Sequence, residues 1–148
     1  MPDQTTGTAI RPSHRVRGPA LIFDLASETV QLRSEARRRH EDRNTKTLVK
    51  EADFSVVLLS MKRDCVIRQH IIAAEVAIQI LTGHLRLHVL DEQFDLMARR
   101  LLVLDRGVPF SLEAVEESSF LLTVARHALP ELTALDLDLE PFAPEARE

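Results

Sequence analysis

The stretch from Cys65 to Phe110 constrains this chain more than any other, because it is a succession of short apolar segments with no room for a long helix. Within it, Ile80-Leu81-Thr82-Gly83-His84-Leu85-Arg86-Leu87-His88-Val89 has two alternating halves joined by a turn at Gly83. A period of two sends successive side chains to opposite faces, which is the signature of a half-buried strand. The same rhythm extends to both sides. Thr47–Lys50, Phe54–Met61, Cys65–His70, Glu75–Leu81, His84–Leu90, Gln93–Met97, Leu101–Leu104, Ser111–Val115 and Ser118–Ala125 all read as strands. Many brief strands separated by short turns predict an all-β antiparallel barrel or sandwich and exclude a doubly wound α/β fold.

Four segments follow from this reading. Residues 1–18 hold Pro2, Pro12, Arg11, Arg15 and Arg17 without any period and read as a flexible arm, closed by the turn signal Gly18-Pro19. Residues 19–43 hold a short strand, Ala20–Leu25, and then a helix to about His40, with Ser27 as its N-cap and Glu28 in its first turn. The charged run Arg37–Arg43 reads as a solvated helix end, its cations near the negative pole. Residues 44–128 form the barrel. Residues 129–148 form an acidic tail, in which Leu129–Leu135 has the composition of a helical turn.

Composition excludes several classes of function. Cys65 is the single cysteine, so neither an intrachain disulfide nor a cysteine-based zinc cluster is available. No segment approaches the roughly 18 apolar residues of a membrane span, and Met1-Pro2-Asp3-Gln4 lacks the order of a secretory signal. The cytoplasm is therefore the expected location. The net charge of −4 conceals an asymmetry: residues 1–50 carry ten Lys/Arg against six Asp/Glu, and the remainder nine against seventeen. An acidic body without Trp or Tyr offers neither a phosphate-binding face nor a stacking platform, so no nucleic-acid partner is expected.

Lys46–Lys50, Val56–Leu59, Ile78–Gly83, Gly107–Phe110 and Ser119–Thr123 together give the chain a resemblance to the cupin superfamily, in particular its small single-domain bacterial members. The likeness runs over Asn44–Ala125 and implies a double-stranded β-helix, or jelly roll, in which three histidines and one carboxylate hold a divalent metal. It also implies a homodimer, which the apolar content on both faces of Val56–Met61 suits.

The first cupin motif, G-x(5)-H-x-H-x(3,4)-E-x(6)-G, closes on Gly83. The shorter spacing then puts its glutamate at Val76 and its histidines at His70 and Ile72. A second count, with Arg68-Gln69-His70 as the altered histidine pair and Glu75 as the carboxylate, needs one residue more before Gly83. Strand parity favours the first, because Val76, Ile78 and Ile80 make an all-aliphatic face fit for the interior, with Glu75 on the other. In the second motif, Gly107 matches, but Arg99, Asp105, Phe110 and Ala114 stand where glycine, proline, histidine and asparagine are usual.

His70 and Glu75 are thus the remaining candidates for metal ligation. They are too few for a stable site, so no cofactor is expected. Ile72, Val76, Ile78 and Phe110 would wall an apolar pocket, with His70 and Arg68 supplying polarity for a small organic acid. His70 reads equally as a hydrogen-bonding or basic group and as a histidine left at a barrel mouth. Arg68, two residues earlier, shares its face by parity and is either a carboxylate clamp or a member of an ion pair.

His84, Arg86 and His88 alternate with Leu85, Leu87 and Val89, which marks a solvated strand face. Cys65 follows Asp64, a neighbour that discourages the thiolate. The expected function is a non-catalytic or small-ligand-binding cupin without its metal. The alternatives are a dioxygenase- or isomerase-type enzyme with other ligands around His70, or a sensor module for a separate regulator.

Overall fold

A computed structural model describes residues 20–126 of the chain. The arm at residues 1–18, the tail at 129–148 and the helical turn at Leu129–Leu135 lie outside the described residues. The element order is α1 (Leu25–Arg38), β1 (Arg43–Lys50), β2 (Phe54–Met61), β3 (Val66–His70), β4 (Glu75–Thr82), β5 (His84–Val89), β6 (Glu92–Met97), β7 (Leu101–Leu104), β8 (Phe110–Ala114) and β9 (Ser118–Ala125). Every expected strand from residue 47 onward is present, with ends shifted by a few residues at most.

The strands form two antiparallel sheets, one of five strands in the order β1-β2-β9-β4-β7 and one of four in the order β3-β8-β5-β6. Their inner faces meet in one apolar core. Val76, Ile78 and Ile80 of β4, with Phe120 of the adjacent β9, face Leu85 and Leu87 of β5 and Leu112 and Ala114 of β8, all nearly inaccessible to water. Parity therefore gave the right inner face for β4, with Gln79 exposed on the other. Each such Leu or Ile contributes about 1.5–3 kcal/mol by leaving water.

Gly83 is a corner between the two sheets, since β4 belongs to the larger and β5 to the smaller. Its φ of +93° is in the left-handed region, and a Cβ there would strike the Glu117 carbonyl and Ser118, with Ser118 Cα only 2.7 Å away. Ser118 Oγ accepts from the His84 amide at 2.9 Å and donates to the Glu116 carbonyl at 2.8 Å, which fixes the corner against the β8–β9 turn.

The N-terminal segment differs from expectation in two ways. Ala20–Asp24 is irregular rather than a strand, and Phe23 and Leu25 pack into a second apolar cluster. The helix is capped by Asp24, whose carboxylate accepts from the Ser27 amide at 3.3 Å and the Ser27 hydroxyl at 3.0 Å. An aspartate three residues ahead of a free N–H satisfies that donor, which puts Ser27 inside the first turn. The helix ends at Arg38, and His40 turns the chain with φ at 57°.

Helix α1 lies on the outer face of the five-stranded sheet. Leu32 packs with Leu48, Val49 and Leu58, and Lys46 Nζ meets Glu28 Oε1 at 2.7 Å with both side chains largely buried. Asn44 Nδ2 donates to the Leu32 carbonyl at 3.2 Å and Arg33 Nη2 to Thr82 Oγ1 at 2.7 Å. The apolar outer side of β2 is thus covered by the chain's own helix. No helix among the described residues is long and apolar enough to cross a membrane.

Candidate functional site

The barrel mouth is reached through β3. Its ladder with β8 pairs Ile67 with Leu112 and His70 with Phe110, so Arg68 and Gln69 together oppose the single residue Ser111. This is a β-bulge, one extra residue on β3. Ile67 packs on the core, and His70 shares the side of its partner Phe110. The extra residue breaks the alternation, so the parity expectation that Arg68 and His70 share a face is wrong. Arg68 and Gln69 turn outward together.

At the mouth, the His70 and Phe110 rings meet edge to face, with centroids 6.3 Å apart and planes inclined by 60°. His70 is exposed, whereas Phe110 is buried. Ile72 is half-buried against the core, and its carbonyl accepts from the Gly107 amide at 3.0 Å. Gly107 has φ at +75°, the conformation that lets the loop turn back to Ile72. Val76 and Ile78 are sealed within the core at 2% and 0% exposure, so they pack against side chains. Glu75 begins β4 on the opposite sheet, paired across the ladder with Ala125.

Ile72, Val76 and Phe110 have no lone pair to offer a cation, which leaves the His70 imidazole alone among the positions of the first count. Among the described residues, no three His, Cys, Asp or Glu side chains are grouped to hold a metal ion.

The His84-x-Arg86-x-His88 row lies on the outer face of the four-stranded sheet, where two of its members are engaged by β6. His84 Nε2 and Arg86 Nε each lie 3.0 Å from Asp95 Oδ1. The hydrogen bond with His84, followed by that with Arg86, holds the Asp95 carboxyl below its ordinary range. Cys65 is buried, and loss of hydration pushes its thiol up, with Asp42 adding to the effect and Arg43 opposing it. The sequence assigned that influence to Asp64, but the charged neighbour is Asp42, reached through the fold.

A groove of about 380 Å³ opens on this same outer face, between β3 and β5 and across β8. Arg68, Gln69, His88 and Ser111 are its polar lining, and Val66, Leu90 and Pro109 are apolar walls. Sequence reasoning named Arg68 but missed the groove, because the bulge that assembles it carries no glycine or proline to announce itself.

No protein-family model matches the sequence, and no curated protein matches it. Solved structures do. A conserved Streptococcus pyogenes protein of unknown function superposes with a TM-score of 0.62 at 21% identity, covering 82% of this chain and 99% of its own. A cupin superfamily protein from Desulfitobacterium hafniense gives 0.56 at 13% identity, over 57% of this chain and 78% of that one. An RmlC-like cupin with a double-stranded β-helix fold from Methanocaldococcus jannaschii gives 0.54 at 15% identity, over 57% and 81%. With its two facing antiparallel sheets and the Gly83 corner between them, this chain has the cupin fold.

Proposed function

We propose that this chain is a cupin-fold binding protein that works without a metal ion and without catalysis of its own. The observation that carries the reading is the chemistry of three side chains. Ile72, Val76 and Phe110 occupy positions where the resemblance puts metal ligands, and all three pack with the apolar core. A divalent ion placed beside them would have one imidazole and water, a set that does not compete with full hydration. Among the described residues His70 has no carboxylate partner to orient it for catalysis, and its ring neighbour is Phe110. The fold then serves as a rigid platform for a small organic ligand.

Thermal melting with added manganese, iron(II), nickel or zinc, against melting in EDTA, tests this reading. A ligand that binds only the folded state raises the melting temperature. Wild type and His70→Ala are expected to respond alike to each metal. A metal-induced rise in wild type that His70→Ala abolishes would overturn the proposal.

A further inference from the structure

We propose that the outer face of the four-stranded sheet, rather than the barrel mouth, carries the ligand site, and that its ligand is a small organic acid with an apolar body. This rests on the reading above that the chain binds a ligand rather than transforms one.

The ladder supplies the geometry. His88 of β5 stands directly across from Ser111 of β8, and Ser111 is opposed on its other side by the bulged pair Arg68 and Gln69 of β3. Neighbouring strands lie about 4.8 Å apart, so the row from Arg68 to His88 spans about 10 Å. Without the extra residue on β3, Gln69 would alternate away from Arg68; with it, both are directed to the groove.

The chemistry of this row is one-sided. Among the described residues, Arg68, Gln69, His88 and Ser111 make no side-chain hydrogen bond or ion pair with another residue, and no carboxylate lines the groove. The nearest acid on the same face of β8, Glu113, stands across from Arg86 and Val66, one step beyond the row. A guanidinium offers paired N–H donors that match a carboxylate, and Ser111, Gln69 and His88 add further donors at the same level. Val66 and Leu90, 45% and 75% exposed, flank these donors and remain open to water unless something apolar covers them. A volume of about 380 Å³ suits an aryl or branched aliphatic acid.

The larger groove between α1 and β1, about 950 Å³, is a poorer candidate for an acid because two carboxylates, Glu28 and Glu35, line it beside Arg38 and Arg39. Glu28 is held by Lys46 and Glu35 by Asn44.

Benzoate is the probe, with benzamide as its uncharged counterpart, followed by amide chemical shifts of the full chain. Benzoate is expected to move the amides of Val66–Gln69, His88–Leu90 and Ser111 in a saturable way, and benzamide is not. Arg68→Gln, a change at an exposed position, should weaken benzoate at least about tenfold, the scale of a lost charged hydrogen bond. Ser111→Ala should weaken it by a smaller factor. Absence of saturable shifts, equal binding of benzamide, shifts confined to His70 and Ile72, or an unchanged Arg68→Gln would each overturn the proposal. The melting experiment reads metal alone. Loss of the groove would therefore leave the metal-free reading standing, and a His70-dependent metal would end that reading even if benzoate bound.

Discussion

His70 lies directly across the β3–β8 ladder from Phe110, and the two rings meet edge to face at 6.3 Å. On the proposed reading, this apolar ring stands where the cupin resemblance puts a histidine ligand. The contact adds about 0.5–1.5 kcal/mol beyond area burial where such pairs have been measured, with the lower end fitting an exposed imidazole. His70→Ala should therefore lower the urea midpoint only slightly and leave the unfolding slope unchanged.

Gly83→Ala should be far more damaging. Its φ of +93° disfavours any side chain, and a Cβ would run into the backbone of Glu117 and Ser118. The left-handed conformation alone costs about 1–3 kcal/mol, and the steric conflict adds to that. Chemical denaturation should show a loss above about 2 kcal/mol, whereas Gly107→Ala, where a Cβ meets nothing within 4 Å, should cost only the conformational part.

The Glu28–Lys46 pair fastens α1 to β1 with side-chain exposures of 5% and 16%. Removing one partner breaks a largely buried ion pair, so Glu28→Leu should destabilise by more than the roughly 1 kcal/mol of an exposed pair. Replacing both, with Lys46→Met as the second change, should recover most of that loss. A double-mutant cycle read by urea unfolding checks it. Two additive losses would show that the pair does not act as a unit.

Acid should weaken the β5–β6 pairing in a defined direction. Asp95 titrates below its ordinary value in the folded chain because His84 and then Arg86 hold its ionised form. The unfolded chain therefore binds the proton first as pH falls. The contribution is complete above the unfolded aspartate value of about 3.9 and is lost as pH drops through the lower folded value. Asp95→Asn should flatten this limb of the urea midpoint against pH by lowering the neutral-pH midpoint slightly while leaving the acid end nearly unchanged. A limb of equal steepness in the variant would assign it to other carboxylates.

Much of the fold was legible because alternation is a local signal. Val76, Ile78 and Ile80 declared the inner face of β4, and Gly83 marked a point where the chain had to turn. What escaped was set by partners distant in sequence. The bulge at Arg68 and Gln69 exists only relative to Ser111, more than forty residues on, and it reversed the face expected for Arg68. The apolar residues on the outer side of β2 are covered by α1, whose docking depends on Lys46 and Asn44 meeting Glu28 and Glu35. The cap is Asp24 rather than Ser27, three residues later; both residue types are good caps and only geometry separates them. At the site, the residue types at ligand positions were readable, whereas the groove was not.

The central claim is that the barrel interior has exchanged metal chemistry for aliphatic packing, and the metal content of the purified full-length chain tests it most directly. Elemental analysis after growth in medium supplemented with iron, manganese, nickel and zinc is expected to find each far below one ion per chain, and no difference between wild type and His70→Ala. A near-stoichiometric content of any one of these metals in wild type, lost in His70→Ala, would contradict the account.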